Sequence, residues 1–142
     1  MIIAIGSDHA GFTRKQEILE HLQVQGHEVK DLGTYSKESM DYPDVAVEVA
    51  KQVASKEVER GILVCGSGIG VSIVANKTEG VRAANCLNEE MASLSRQHND
   101  ANILAIPGRF LNDEELLDIV KTFLNTTFEG GRHANRAQKI PC

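Results

Sequence analysis

The segment Cys65-Gly66-Ser67-Gly68-Ile69-Gly70 sets a thiol and a hydroxyl among alternating glycines, directly after the apolar run Ile62-Leu63-Val64. Glycines let a backbone turn sharply and come close to a ligand. Amide N–H groups exposed by such a turn at the start of a helix attract an anion. A cysteine in the same place feels the same field, which favours its thiolate. The combination supplies a base beside an anion hole. Against this stands a plain structural reading, in which Cys65 is a small buried apolar residue and the glycines only make a turn, since free cysteine is commonly a core residue. From these residues alone the two readings carry equal weight. The segment is not a dinucleotide fingerprint, because Val71 stands where the third glycine belongs, and no Gly-Lys-Ser/Thr follows to make a phosphate-binding P-loop.

Four further groups carry polar chemistry. Asp8-His9 follows the first apolar run and could contact substrate hydroxyls and a phosphate; a helix cap by Asp8 with His9 idle is the favoured reading of that pair alone. His98-Asn99-Asp100 follows a helical stretch, and a histidine there could open a sugar ring or shuttle a proton near neutral pH. Its alternative is a polar turn. Arg132 and Arg136 lie four apart, so on a helix they share a face and could grip a phosphate through fork-like hydrogen bonds. Without the other groups they read as a solvated basic tail. Pro107-Gly108-Arg109 leaves another strand candidate. No pair of histidines, cysteines or carboxylates shows metal-ligand spacing, so no metal is expected. His21 and His27 read as surface residues, Cys86 as buried packing beside a strand end, and Cys142 as incidental.

Positioning these residues requires alternating elements. Short apolar runs at Ile2–Gly6, Glu28–Leu32, Gly61–Cys65, Val81–Asn85 and Asn102–Ile106 read as strands. Between and after them lie helical patterns carrying Phe12, Ile18, Leu19 and Leu22; Val45, Val49 and Val53; an Ile/Val/Ala-rich stretch to about Lys77; residues 88–97; and Leu116, Leu117, Val120 and Leu124. Residues 34–42 read as a loop. Strands alternating with helices mean βαβ units with right-handed crossovers. The expected fold is a Rossmann-like three-layer α/β/α sandwich with a five-stranded parallel sheet. Ligands bind such sheets beyond the carboxyl ends of the strands, where Ser7-Asp8-His9, Gly66 to Gly70, Cys86 and Arg109 all fall.

The chain has 142 residues, enough for one domain with a real core, and residues 1–142 read as that single domain. A net charge of −5 makes non-specific nucleic-acid binding a poor expectation. The start, MIIAIGSDHAGF, lacks the basic region of a signal peptide, and no stretch reaches the roughly 20 apolar residues of a membrane span. Three cysteines, an odd number, read as free thiols of a reducing compartment, and the cytoplasm is the expected location.

Taken together and in order, SDHAGF, DYPD, ILVCGSGIGVSIVANK, SRQHNDANILA and EGGRHANR resemble the type B ribose-5-phosphate isomerases. Galactose-6-phosphate and allose-6-phosphate isomerases belong to the same superfamily. The resemblance runs from Ile2 to about Arg136. It implies an aldose–ketose isomerase that interconverts ribose 5-phosphate and ribulose 5-phosphate through a cis-enediolate, with a hexose 6-phosphate isomerase as the alternative and a non-catalytic sugar-phosphate-binding protein further behind. Carried over by residue, it implies Cys65 as the base between C1 and C2. Gly66, Gly68, Ile69 and Gly70 form the anion hole, and Ser67 assists at the reacting oxygens. His98 opens the ring, with Asp8 as the other candidate. His9, Arg132 and Arg136 bind the phosphate, with Arg109 assisting, and Tyr42 and Asn99 contact hydroxyls. It also implies no cofactor, and a homodimer or tetramer with sites between subunits, to which His98, Asn99 and Arg109 cross from the partner. A branch of the family replaces the cysteine with a glutamate a few residues later; Val71 stands there here, which favours the cysteine base.

Overall fold

In the computed structural model, residues 1–141 are described, so the reading of Cys142 lies outside the described residues. Five parallel strands form one sheet: β1 Ile2–Ser7, β2 Glu28–Asp31, β3 Arg60–Cys65, β4 Ala83–Asn85 and β5 Ile103–Pro107, in the order β2-β1-β3-β5-β4. Their helices are α1 Phe12–Val24, α2 Tyr42–Ala54, α3 Ile69–Ala75, α4 Glu89–Asn99, α5 Asp113–Asn125 and α6 Arg132–Gln138, with a 3₁₀ turn at Gly108–Phe110 after β5.

Successive strand side chains point to opposite faces, and both faces here are apolar. Ile3, Ile5, Ile62, Val64, Leu104 and Ile106 pack with Ile18 and Leu22 of α1 and with Leu116, Ile119, Val120 and Phe123 of α5. Ala4, Leu63, Cys65, Ile103 and Ala105 face Val45, Val49 and Val53 of α2 and Val71 and Ala75 of α3. Burial on both faces explains why the strands read as continuous apolar runs. The expected three-layer α/β/α sandwich with five parallel strands is the fold observed.

Three boundaries differ from expectation in ways that matter for function. β4 is only three residues long and β5 runs one residue further, to Pro107. α4 continues to Asn99 and stops where Asp100 adopts a left-handed conformation at φ 48°, so His98 and Asn99 lie in a helical last turn rather than in a polar turn after it. The basic tail is helical from Arg132 to Gln138. His21 and His27 are half-buried rather than surface residues, and His21 Nε2 and His27 Nδ1 are buried without hydrogen-bond partners.

Candidate active site

β3 ends on Cys65, whose side chain is 6% exposed. The chain then turns through Gly66, Ser67 and Gly68. Gly68 sits at φ +73° and its N–H donates to Cys65 Sγ at 2.9 Å. That contact fixes the sulfur against the amides of the turn. Only glycine serves at position 68: a Cβ there would lie 2.3 Å from Asn85 Oδ1. Asn85, at the end of β4, donates through Nδ2 to the Ser67 carbonyl at 3.1 Å, which fixes the peptide that carries the Gly68 N–H. Ser67 Oγ accepts from the Ile69 N–H at 3.2 Å and keeps its own proton available. Because α3 has only seven residues, the anion attraction rests on these loop amides rather than on a long helix dipole.

Around this turn lies a cleft of about 560 Å³, lined by Asp8, His9, Ala10, Tyr42, Cys65, Gly66, Ser67, Ile69, Gly70, Ile73 and Arg109. Each wall follows from the topology. β1 delivers Asp8 and His9 beside the end of β3. Asp8 Oδ1 accepts from the Gly11 N–H at 2.9 Å, so the capping role and a place on the cleft coexist. His9 Nδ1 accepts from the Met40 N–H at 3.2 Å, which leaves Nε2 as the protonated, donating nitrogen of the neutral ring. Tyr42 opens α2 and approaches Gly70 so closely that a Cβ there would lie 2.6 Å from its ring. Pro107 pairs with Cys65 across β5 and β3, so Arg109 emerges directly beside the thiol. Its backbone N–H donates to the Gly66 carbonyl at 3.1 Å, and its guanidinium lies over Gly66.

Arg109 therefore occupies the same chain's cleft, which corrects the expectation that it crosses from a partner. Gly68 does not line the cleft but supports it from behind. Ala10 and Ile73 were missed, although Ile73 lies one helical turn after Ile69 and that spacing could have flagged it. A second cleft of about 470 Å³, which includes Val58, Arg60, Arg82, Asp100 and Asn102, holds no thiol or histidine and offers no comparable chemistry.

The other expected residues are elsewhere. α4 starts near the carboxyl end of β4 and returns, so its last turn lies at the amino ends of the strands, where Arg82 Nε donates to the Asn99 carbonyl at 3.0 Å. A six-residue strand such as β3 spans about 20 Å, so His98 and Asn99 are remote from Cys65 of their own chain. α6 packs against α4 and brings Arg132 and Arg136 to the same end. There the His98 and His133 rings stack, with centroids 4.1 Å apart and planes 10° from parallel. His133 Nε2 lies 3.5 Å from Glu129 Oε2. Burial lowers the His133 pKa, helped by His98 and Arg132 and opposed by Glu129.

The donors of His98, Glu129 and His133 lie within 4.8 Å of one another, a grouping that sequence spacing did not show. Parallel rings do not converge their lone pairs on one point, and Arg132 and Arg136 on the same short helix make the surroundings unfavourable for a cation. The cluster suits an anion better than a metal. Cys86 is 1% exposed, and burial pushes its thiol up to about 11 against a hydrogen bond to Ser95, which suits packing rather than reactivity.

Residues 3–140 match the model of a family described as ribose/galactose isomerase. Ribose-5-phosphate isomerase B of Escherichia coli strain K12 is 50% identical over 138 residues, covering 97% of this chain and 93% of that protein. The structure of Clostridium thermocellum ribose-5-phosphate isomerase B superposes with a TM-score of 0.98 at 54% identity, over 99% of this chain and 95% of that one. The Mycoplasma genitalium isomerase B structure, which contains bound ribulose 5-phosphate, gives 0.94 at 47% identity, over 98% and 93%.

Proposed function

The chain belongs to the ribose/galactose isomerase family, and from that premise we propose that it interconverts D-ribose 5-phosphate and D-ribulose 5-phosphate. The observation that carries this reading is the Cys65 thiol, held by the Gly68 amide on the wall of a cleft that also holds Asp8, His9, Ser67 and Arg109.

The chemistry follows from these groups. Once the aldose ring is open, the Cys65 thiolate takes the proton from C2. The electron pair moves into a C1–C2 double bond and O1 becomes the enediolate oxygen. Loop amides of Gly66 to Gly70 face that charge, and removing one such donor commonly costs about 100–1,000-fold in rate. The thiol then returns the proton to C1, while the hydroxyl proton passes from O2 to O1 with Ser67 Oγ alongside. The transfer is redox-neutral within the substrate, so side chains and amides suffice and no cofactor is invoked. Phosphate binding, remote from the reacting carbons, orients the sugar for this step. Tyr42 and Asn99 contact hydroxyls.

The two clusters complete each other in a symmetric dimer. One protomer supplies Cys65, Ser67, His9 and Arg109; its partner supplies His98 for ring opening with Asn99, Arg132 and Arg136. This assigns both tail arginines to the partner side along with His98. A two-fold axis makes two such sites by the same contact. A tetramer would pair two such dimers. Exposed Ile69, Ile73, Leu87, Met91 and Leu94 lie on α3 and on or beside α4, and could be covered by that contact. We place the protein in the cytoplasm, as one isomerase domain acting on a small sugar phosphate, with neither nucleic acid nor membrane as a partner. Its buried Cys65 and Cys86 are unpaired, and no helix among the described residues is long and apolar enough to cross a membrane.

The test is isomerase activity on ribose 5-phosphate, allose 6-phosphate and galactose 6-phosphate, for wild type and Cys65→Ala side by side. Turnover of the pentose phosphate that disappears in Cys65→Ala is expected. Turnover of a hexose phosphate alone would replace the substrate, and undiminished turnover by Cys65→Ala would remove the base.

A further inference from the structure

His98 lies in the last turn of α4, half-buried, on a side chain whose rotations remain open unless something holds it. A proton-transferring group works only when held within a few tenths of an ångström and roughly 10–20° of its productive geometry. What holds it is visible: the His133 ring lies against it at 4.1 Å, 10° from parallel. His133 is itself 7% exposed, and its backbone N–H donates to the Gly130 carbonyl at 3.0 Å. The segment before it is tied to α4, because the Glu129 N–H donates to the Gln97 carbonyl at 3.1 Å, one residue before His98.

We propose that His133 is a positioning residue for ring opening: its buried imidazole sets the plane of the His98 ring, and the stacked pair enters the partner's site as one rigid unit. This rests on the reading of His98 as the ring opener. The stack has the properties such a device needs. Its backing ring is buried and lies 3.5 Å from the Glu129 carboxylate, its working ring is the more exposed of the two, and both belong to one chain, so their relation does not depend on how the partner docks. A flat ring on one side blocks the side-chain rotations that would turn the imidazole nitrogens away from a sugar oxygen, while a stacked contact occupies the ring's face rather than its nitrogens.

Ring opening can be measured apart from isomerisation. In the full-length Cys65→Ala protein the substrate is bound but not isomerised. Exchange between the α and β anomers of ribose 5-phosphate labelled with carbon-13 at C1 then reports opening, by exchange NMR. Cys65→Ala is expected to accelerate exchange over buffer, and adding His98→Asn to abolish the acceleration. Adding His133→Ala should cut it by up to about 100-fold, as displacement of a reacting group by about 1 Å does. Adding His133→Phe, which keeps a flat ring, should leave it within about threefold of the parent. No acceleration by Cys65→Ala, or full acceleration after adding His98→Asn, overturns the ring-opening reading and the inference with it. Loss with His98→Asn but not with His133→Ala overturns the inference alone, and so does equal loss in His133→Ala and His133→Phe.

Discussion

The backbone N–H of Gly68 donates to the sulfur of Cys65 across 2.9 Å, and the peptide carrying that N–H is held by Asn85 through the Ser67 carbonyl. The glycine is required twice over, by its φ of +73° and by the 2.3 Å separation that a Cβ would have from Asn85 Oδ1. Gly68→Ala must therefore tilt the turn and withdraw the donor. Expected is a fall in kcat of about 100-fold, the cost of losing one preorganised donor, with a much smaller change in KM. Steady-state kinetics on ribose 5-phosphate check this, and a kcat within threefold of wild type would show that the amide does not matter.

Cys86 makes a different prediction, from its thiol pKa of about 11. In the unfolded chain a thiol loses its proton near 8.5. Between that pH and about 11 the unfolded state binds fewer protons than the folded state, so stability falls as pH rises. The slope from one such group approaches about 1.4 kcal/mol per pH unit. Urea midpoints across pH 8–11 should fall more steeply for wild type than for Cys86→Ala. Parallel curves would show that burial does not hold this thiol protonated. At pH 8, peptide mapping after brief iodoacetamide treatment of folded protein should leave Cys86 unmodified.

Lys15 carries a stability prediction linked to the site. It is fully buried, with Nζ 2.6 Å from both Asp31 Oδ1 and the Thr34 carbonyl, and 5.5 and 5.2 Å from the centres of the Phe12 and Tyr35 rings. This anchors the start of the segment that ends at Met40, whose N–H holds His9. Removing one partner of a buried pair costs about 3–5 kcal/mol; Asp31 is partly exposed, so Lys15→Met is expected at or just below the lower end. Chemical denaturation measures this, together with a rise in KM as His9 loses its support. A loss under about 1 kcal/mol would mean that the ammonium contributes little.

The sheet was legible in the sequence because both of its faces are buried, so that Ile62-Leu63-Val64 and Ile103-Leu104-Ala105-Ile106 read as unbroken apolar runs between helical patterns. The Cys65 turn was legible because its glycines, thiol and hydroxyl are contiguous. That Cys65 and the group of His98, Arg132 and Arg136 lie at opposite ends of the sheet was not legible in any local pattern. Whether Arg109 or Arg132 stands beside Cys65 depends on the pairing of Cys65 with Pro107 and on α4 and α6 meeting at the opposite end of the sheet, and these are long-range relations that no local pattern encodes. The pattern ends the helix at residue 97 and leaves a polar turn as the alternative to a working His98, because Asn99 and Asp100 carry turn chemistry, yet α4 keeps its hydrogen bonding to Asn99 and only Asp100 leaves the helix. His133 sits inside a motif that reads as a basic tail, and its partner is thirty-five residues away in the chain.

The separation of Cys65 from His98, Arg132 and Arg136 within one chain predicts complementation between two inactive proteins. Cys65→Ala lacks the base on one side of each site, and the double variant His98→Asn/Arg132→Ala lacks the groups on the other. If sites form between subunits, a mixed dimer has one site with both defects and one with neither. After unfolding and refolding together in equal amounts, half of the dimers are mixed and each has one working site of two, so about a quarter of wild-type activity should return. Mixing without subunit exchange should return none. If every site were built within one chain, the refolded mixture would stay as inactive as its components, and the assignment of these residues to the partner would be wrong.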